Sequence, residues 1–310
     1  MEAIFKKLSS LSATTILILL SSIFIVLFIQ AKPAIVEYGI NFITNPVWGE
    51  VVSTNNSNVS NNNADVDDED SFIEDEEDDS SNQKVIYGGL VPIVGTIFST
   101  IIAMLFAVPI AMGIAIFLSE IAPDFIAKPV GIAIELLAAI PSIIYGMWGL
   151  FYFGPFISNI FGGNSVSLLV AGLVLGVMII PFMASLTRDS MKTTPDVLKE
   201  SAYAMGATKF EVIKDVVFPY AKKGIIGSMI LALGRALGET MAVAFVIGGV
   251  FSFPSKLTDP TVSIPVVLAN NFAESSGMSY SALFYLALIL FVISFAVISF
   301  AKFYFLRDSK

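Results

Sequence analysis

The chain has 310 residues, of which 55% are hydrophobic and 14% are charged, and its mean hydropathy is +0.81. A soluble domain carries roughly 25% charged residues, so this composition excludes an ordinary soluble globular protein and indicates a membrane protein. The sequence contains no cysteine and no histidine, which excludes disulfides, thiolate metal sites and histidine-based hydrolytic or zinc chemistry.

The net charge of −9 comes from a single acidic segment. Eleven carboxylates lie between Asp65 and Asp79, and without them the net charge would be +2. The low isoelectric point therefore says nothing about the rest of the protein. No basic stripe is present, so nucleic acid is not an expected partner.

Six segments are apolar enough to cross a bilayer, which requires about 20 apolar residues. We therefore predict an all-α polytopic membrane protein with six transmembrane helices. The predicted spans are residues 12–30, 86–118, 129–153, 165–187, 221–250 and 280–304. Two lysines precede the first span, as in a signal peptide. Its apolar run is longer than the apolar region of a signal peptide, so we favour a retained membrane anchor.

The distribution of lysine and arginine predicts the orientation of these spans. With both termini in the cytoplasm, thirteen basic residues face inside, three face outside and Arg235 lies within a span. Because basic residues are enriched in cytoplasmic loops, we expect both termini to be cytoplasmic.

The first loop, residues 31–85, is then external. Its middle part, about residues 55–82, is rich in asparagine, serine and acidic residues. Such a segment cannot bury enough apolar surface to fold, and we expect a disordered, solvated insert. The alternative is a cation-binding or docking element.

The third span contains a carboxylate, Glu135, about two turns from its cytoplasmic end. The side chain could reach the membrane interface or a hydroxyl partner. The alternative is a role in gating.

The cytoplasmic loop between the fourth and fifth spans, residues 188–220, is predicted to form two short helices. Thr194 is a suitable N-cap for the first, which stops at Gly206. The segment from Thr208 to Glu211 has the pattern of a capping box that begins the second, which is expected to end near Val217, before Pro219. Their apolar side chains should dock on a partner or on the protein's own spans.

This loop resembles the EAA motif of ABC importer permeases. The matching residues are Glu200, Ser201, Ala202, Gly206 and Pro219, with nine residues between Gly206 and Val216. Ser201, Val216 and Phe218 are mild departures from that motif. The resemblance implies a coupling helix that sits in a groove of a cytoplasmic ATPase. The chain itself has no Gly-Lys dipeptide and hence no Walker A P-loop.

Two ionisable residues, Arg235 and Glu239, lie inside the predicted fifth span. A charge there costs roughly 2.5–3.5 kcal/mol on insertion scales, so such residues are functional candidates by default. Four residues apart on a helix, they would share a face and could neutralise each other. A purely structural salt bridge is the alternative.

The segment Gly234 to Ala242 resembles the signature of the permease subunits of phosphate-specific ABC importers, the PstC and PstA types. Residues 95–100, 107–120 and 137–149 agree with the PstC type, and the resemblance covers about residues 86–305. The acidic insert departs from the family pattern.

The resemblance implies a type-I, MetI-like ABC permease fold in the bacterial inner membrane. It implies a substrate pathway with Arg235, Glu239 and Thr240, ATPase coupling through residues 200–202, 206 and 219, and a possible gating role for Glu135. The implied partners are a homologous PstA-type permease, a PstB-type ATPase dimer and an external PstS-type phosphate-binding protein. The chain itself would bind no metal or other cofactor, and ATP and magnesium would bind to the ATPase.

The implied organisation is a cytoplasmic end with the first helix (1–30), the external loop (31–85), the permease core (86–305) and a cytoplasmic tail (306–310). Alternatives to phosphate import are a permease for another oxyanion such as sulfate or molybdate, or a phosphate-sensing membrane scaffold. An intramembrane enzyme is disfavoured because the sequence contains no recognisable acid–base set.

Overall fold

The computed structural model describes the backbone of residues 2–53 and 83–307, and the side chains of residues 5–51 and 85–303. In these ranges five helices are long and apolar enough to cross a membrane, and one bent pair of helices makes a sixth candidate. The elements are α1 (Glu2–Tyr38), α2 (Asn41–Thr44), β1 (Trp48–Ser53), β2 (Gln83–Tyr87), α3 (Leu90–Ile116), α4 (Asp124–Ala138), α5 (Ser142–Trp148), α6 (Gly154–Phe161), α7 (Leu168–Lys192), α8 (Asp196–Ala204), α9 (Lys209–Val212), α10 (Phe218–Leu237), α11 (Met241–Ala244), α12 (Ile264–Asn271) and α13 (Gly277–Arg307).

Helices α3 and α7 form the centre of the molecule and pack closely against each other. Small buried residues recur every four positions along α3, namely Gly95, Ser99, Ala103, Ala107, Ala111 and Ala115. On α7, a Cβ atom added to Gly172 would lie only 2.6 Å from the Ile102 side chain. Small residues let helix backbones approach closely, which is how helices associate in a membrane without a hydrophobic driving force.

At one end of the bundle the chain forms a β-hairpin. Strands β1 and β2 are antiparallel, and Ser53 lies opposite Gln83. The Trp48 ring stacks on Phe251, with the ring centroids 5.2 Å apart, which attaches the hairpin to the loop that follows α11. The sequence analysis did not predict this hairpin. The insert predicted at about 55–82 and the tail residues 308–310 lie outside the described residues.

The third predicted span, 129–153, is not one straight helix. The structure breaks it after Ala138, and the axes of α4 and the following helical segment differ by 89°. Pro141 explains the break, because proline has no N–H to continue the helix and disfavours a helical conformation in the preceding residue.

The fifth predicted span, 221–250, is wrong at both ends. A continuous helix begins at Lys209 and ends at Leu237. Gly238 follows with ψ near 2°, and the chain continues through the short α11 into an irregular loop before α12. Hydropathy averaged over a span-length window could not locate this end, since residues 241–250 beyond it are again mainly apolar.

Because Ser53 and Gln83 already lie opposite each other, the hairpin supplies a simple test of the intervening segment. Replacing residues 54–82 by Asn-Gly should give a two-residue hairpin turn, which these residue types favour. We expect the melting temperature of the purified protein in detergent to stay within about 3 °C of that of the unaltered chain, since a surface change of about 0.5 kcal/mol shifts it by little. A drop of 10 °C or more would show that the replaced segment contributes to the fold.

Candidate functional site

Helix α8 carries the first part of the candidate site and ends as predicted at Gly206. The Gly206 N–H donates to the Tyr203 carbonyl and the Ala207 N–H donates to the Ala202 carbonyl, which is the Schellman arrangement. Gly206 has φ +88°, a conformation that a residue with a side chain rarely adopts. The predicted cap at the other end is wrong. Pro195 precedes the helix without a side-chain cap, and the buried Thr194 hydroxyl has no hydrogen-bond partner in the described part of the chain.

The predicted capping box is present at the start of α9. The Glu211 N–H donates to the Thr208 hydroxyl and the Thr208 N–H donates to the Glu211 carboxylate. The predicted end of this helix before Pro219 is wrong. A π-helical turn, Ile213–Val217, joins α9 to α10, and the Phe218 N–H donates to the carbonyl five residues earlier. The wider turn tolerates the missing N–H of Pro219, so the helix continues.

An apolar surface is exposed at this end of the molecule. We call it the α8 surface, and its side chains are 43–83% exposed: Val197, Leu198, Tyr203, Met205 and Phe210. Other apolar side chains of this loop, those of Ala202, Val212 and Ile213, are buried against the protein itself. An exposed apolar cluster rimmed by polar residues is typical of a protein–protein contact.

An ion pair attaches α8 to the end of α3. The Lys199 Nζ atom lies 2.9 Å from Glu120 Oε1, and the two side chains are only 16% and 9% exposed. Glu120 belongs to a π-helical turn, Phe117–Ile121, that extends α3. This pair joins α8 directly to the extended end of α3. The sequence analysis missed it, because the partners are 79 positions apart and only the fold brings them together.

Glu135 also has a charged partner, which the sequence analysis did not identify. Its carboxylate lies 2.8 Å from Arg188 Nη2, and Arg188 also bonds to Asp189. Arg188 is buried near the end of α7, and the absence of a side chain at Gly131 of α4 leaves room for its guanidinium. The pair therefore fastens α4 to α7. The recorded partner of Glu135 is the Arg188 guanidinium and not a hydroxyl group.

Arg235 lies in the last turn of α10 and is partly buried. Its guanidinium carbon is 5.3 Å from the centroid of the Phe182 ring, which belongs to α7. This cation–π contact, together with the negative end of the helix dipole, stabilises the positive charge. The guanidinium N–H groups of Arg235 donate no hydrogen bond among the described residues, so they are available to an anion.

Glu239 does not share a helical face with Arg235, because α10 ends at Leu237. Its Oε1 atom accepts a hydrogen bond of 3.1 Å from the Ala242 N–H and so caps α11. No ion pair joins Arg235 and Glu239 among the described residues. Thr240 is partly buried beside them, and its hydroxyl is 3.4 Å from the Gly238 carbonyl oxygen.

A cavity of about 530 Å³ adjoins this segment, with Gly238 and Thr240 on one side and α12 and α13 on the other. Its walls are mainly aliphatic and aromatic, and Arg235 is not among its lining residues. The cavity therefore does not suit an oxyanion. Within residues 2–53 and 83–307, no group of three or more carboxylates could hold a metal ion.

The buried pair between α3 and α8 gives a specific prediction. Glu120→Gln should leave the Lys199 ammonium without its counter-charge, at a cost of roughly 3 kcal/mol. We expect faster amide hydrogen exchange across residues 196–204. The charge reversal Glu120→Lys with Lys199→Glu should restore most of the protection. Lys214→Gln is the matched control, since its carboxylate neighbour is 3.9 Å away and both side chains are more than 60% exposed. Unchanged exchange in Glu120→Gln would mean that the pair does not position α8.

Comparison with solved structures identifies the fold. The membrane subunit of the MetNI methionine ABC transporter superposes with a TM-score of 0.58, at 20% identity over 71% of this chain and 94% of that chain. A bacterial alginate ABC transporter gives a TM-score of 0.55, at 15% identity over 71% of this chain and 79% of that chain. At these identities the likeness extends to the fold alone, and it confirms the predicted type-I importer permease architecture.

Comparison with curated sequences is more specific. The phosphate transport system permease protein PstC of Haemophilus influenzae is 41% identical over 302 residues, covering 91% of this chain and 86% of its own length. PstC of Pasteurella multocida is 51% identical over 217 residues, covering 64% of this chain and 68% of its own length. The family model for binding-protein-dependent transport system inner membrane components matches residues 85–306. The chain therefore belongs to the family of binding-protein-dependent transport system inner membrane components.

Proposed function

We propose that this chain is a transmembrane permease subunit of an ATP-driven importer for inorganic phosphate, of the PstC type. The observation that carries this proposal is the 41% identity to a PstC protein along 91% of the chain. The subunit would form half of the translocation pathway. ATP and magnesium would bind to a partner ATPase, and this chain would catalyse no reaction itself.

The proposed partners follow from the division of labour in such an importer. They are a homologous PstA-type permease, a PstB-type ATPase dimer and an external PstS-type phosphate-binding protein. The α8 surface is the proposed seat of the ATPase, with the motif residues Glu200, Ser201, Ala202, Gly206 and Pro219 around it. Its exposed Met205 and Phe210 side chains support this, since apolar groups in water favour burial by a partner.

We further propose that the subunit lies in the bacterial inner membrane with both termini in the cytoplasm. The excess of lysine and arginine on one side supports this orientation. It would put α8 in the cytoplasm and the β-hairpin outside, next to the binding protein. The domain organisation is then an anchor helix (1–30), an external loop (31–85), a permease core (86–305) with its coupling loop (188–220) and a tail (306–310).

In the proposed pathway Arg235 is the anion contact. Its positive charge attracts an oxyanion, and the N–H groups left free by the Phe182 contact can donate to two phosphate oxygens at once. Glu239 and Thr240 follow directly after the helix end. With one carboxylate oxygen committed to the Ala242 N–H, Glu239 can accept a hydrogen bond from the O–H group that phosphate carries, and it would repel a fully ionised sulfate.

Arg235→Gln tests the proposed anion contact. Glutamine removes the charge and can still donate a hydrogen bond, so we expect the complex to assemble and uptake of labelled phosphate to fall roughly a hundredfold, as for loss of a charged hydrogen bond. The measurement uses cells that lack other phosphate transporters. Lys222→Gln, an exposed cation on the same helix, is the matched control and should transport normally. Uptake by Arg235→Gln at the level of this control would contradict the assignment.

Gly206→Val tests the coupling role of the α8 surface. A β-branched residue at φ +88° costs about 1 kcal/mol or more, so the end of α8 should change shape. We expect phosphate uptake per hydrolysed ATP to fall severalfold. Gly162→Val is the comparison variant: it also places valine at a positive φ, +71°, with open space around the new Cβ atom, but it follows α6, away from α8. Equal losses in the two variants would indicate general destabilisation in place of uncoupling.

A further inference from the structure

The helix break between Ala138 and Ser142, which we call the α4–α5 corner, includes a side chain in the hydrogen bonding of its backbone. Pro141 stands where a continuous helix would donate an N–H to the Leu137 carbonyl, four residues earlier, and proline has no N–H to give. The Ile140 N–H reaches that carbonyl only at 3.3 Å. The Leu137 carbonyl oxygen therefore has a lone pair available for a second, shorter bond from another donor.

Tyr145 supplies it. The Tyr145 hydroxyl donates a 2.8 Å hydrogen bond to the Leu137 carbonyl, from eight residues further along and from the other side of the corner. Among the described residues, this is the one side-chain hydrogen bond between α4 and α5. It spans the break at which the two axes differ by 89°.

The two arms of the corner are attached to different parts of the protein. On one side, the Glu135–Arg188 pair fastens α4 to the end of α7, from which the chain enters α8. On the other side, α5 packs against α11 so closely that a Cβ atom at Gly146 would lie 2.9 Å from the Ala242 carbonyl oxygen. A movement of the α7–α8 end relative to α11 would therefore change the geometry of the corner.

The corner also lies beside the proposed substrate contact. Arg235 lies seven residues before Ala242, whose carbonyl oxygen approaches Gly146 of α5. The Glu239 carboxylate caps α11, against which α5 packs. Tyr145 thus connects the helix break to the segment that carries both proposed pathway charges.

We propose that Tyr145 is a positioning residue of the transport cycle. Its hydroxyl holds the α4–α5 corner at the angle seen here, and that bond breaks when ATP-driven movement of the α7–α8 end changes the angle next to Arg235. The inference rests on the proposed transport function. It assigns Tyr145 no contact with the transported anion.

The test compares Tyr145→Phe with Tyr152→Phe in the complete transporter complex. Both variants lose only a hydroxyl. Tyr152 is 72% exposed, and its hydroxyl makes no hydrogen bond in the described part of the chain, so it is the matched control. Because the chain contains no cysteine, spin labels can be placed at introduced cysteines replacing the exposed Phe125 in α4 and Phe156 in α6, with partner subunits freed of reactive cysteines.

Distances between the labels are measured by double electron–electron resonance without nucleotide. We expect one narrow distribution for the unsubstituted corner and for Tyr152→Phe, and a broadened or displaced distribution for Tyr145→Phe. ATPase activity without binding protein should rise about three- to tenfold in Tyr145→Phe, the shift that one hydrogen bond supports. Phosphate uptake per ATP should fall correspondingly.

Two results would overturn the proposal. One is a distance distribution and a basal ATPase activity for Tyr145→Phe that equal those of Tyr152→Phe. The other is a lower melting temperature with unchanged uptake per ATP, which would indicate a structural role only. The distance measurement requires no phosphate, so it decides the role of Tyr145 even if the transported anion proves to be a different one.

Discussion

The close packing of α3 against α7 is the constraint on which the rest of this structure depends. The stripe of small residues from Gly95 to Ala115 lets the two helices approach, and every functional element is attached to one of them. The turn that extends α3 holds α8 through Glu120, and the end of α7 holds α4 through Arg188. Near the hairpin end, the Thr96 hydroxyl accepts a hydrogen bond from the Ile264 N–H at the start of α12.

Three cations of this predominantly apolar chain lie in or next to the helix bundle, and they do not all have the same kind of partner. Lys199 and Glu120 neutralise each other, and Arg188 has two carboxylates. Arg235 differs, because its recorded partner is the aromatic ring of Phe182, and no carboxylate pairs with it in the described part of the chain. A cation without a counter-ion is the arrangement that an incoming anion can complete, which is why the proposed function centres on Arg235.

Sequence analysis located the elements that depend on local chemistry. The capping box at Thr208 and the end of α8 at Gly206 are determined by a few adjacent residues, and both are confirmed. It failed where apolar character does not change along the chain. The end of α10 at Leu237 lies inside a stretch that is apolar on average, so a hydropathy window passes over it.

Other features depended on contacts that no local pattern contains. The pairing of β1 with β2 joins short segments on either side of a long polar stretch, and the Glu120–Lys199 pair joins residues 79 positions apart. At Pro219 the sequence analysis predicted a helix end that the structure does not have. This proline carries a strong local signal for the end of a helix, and the π-helical turn before it removes the conflict.

That turn has a mechanical consequence. Because the helix passes through Pro219 without interruption, one rod extends from the capping box at Thr208 to Arg235, a length of about 40 Å at 1.5 Å per residue. A continuous helix moves as a rigid unit. A displacement of a few ångströms at its Thr208 end, where the ATPase is proposed to bind, would therefore tilt the helix and move Arg235 at its other end. Had the helix stopped before Pro219, a flexible joint at that point would bend instead, and the Arg235 guanidinium would not move.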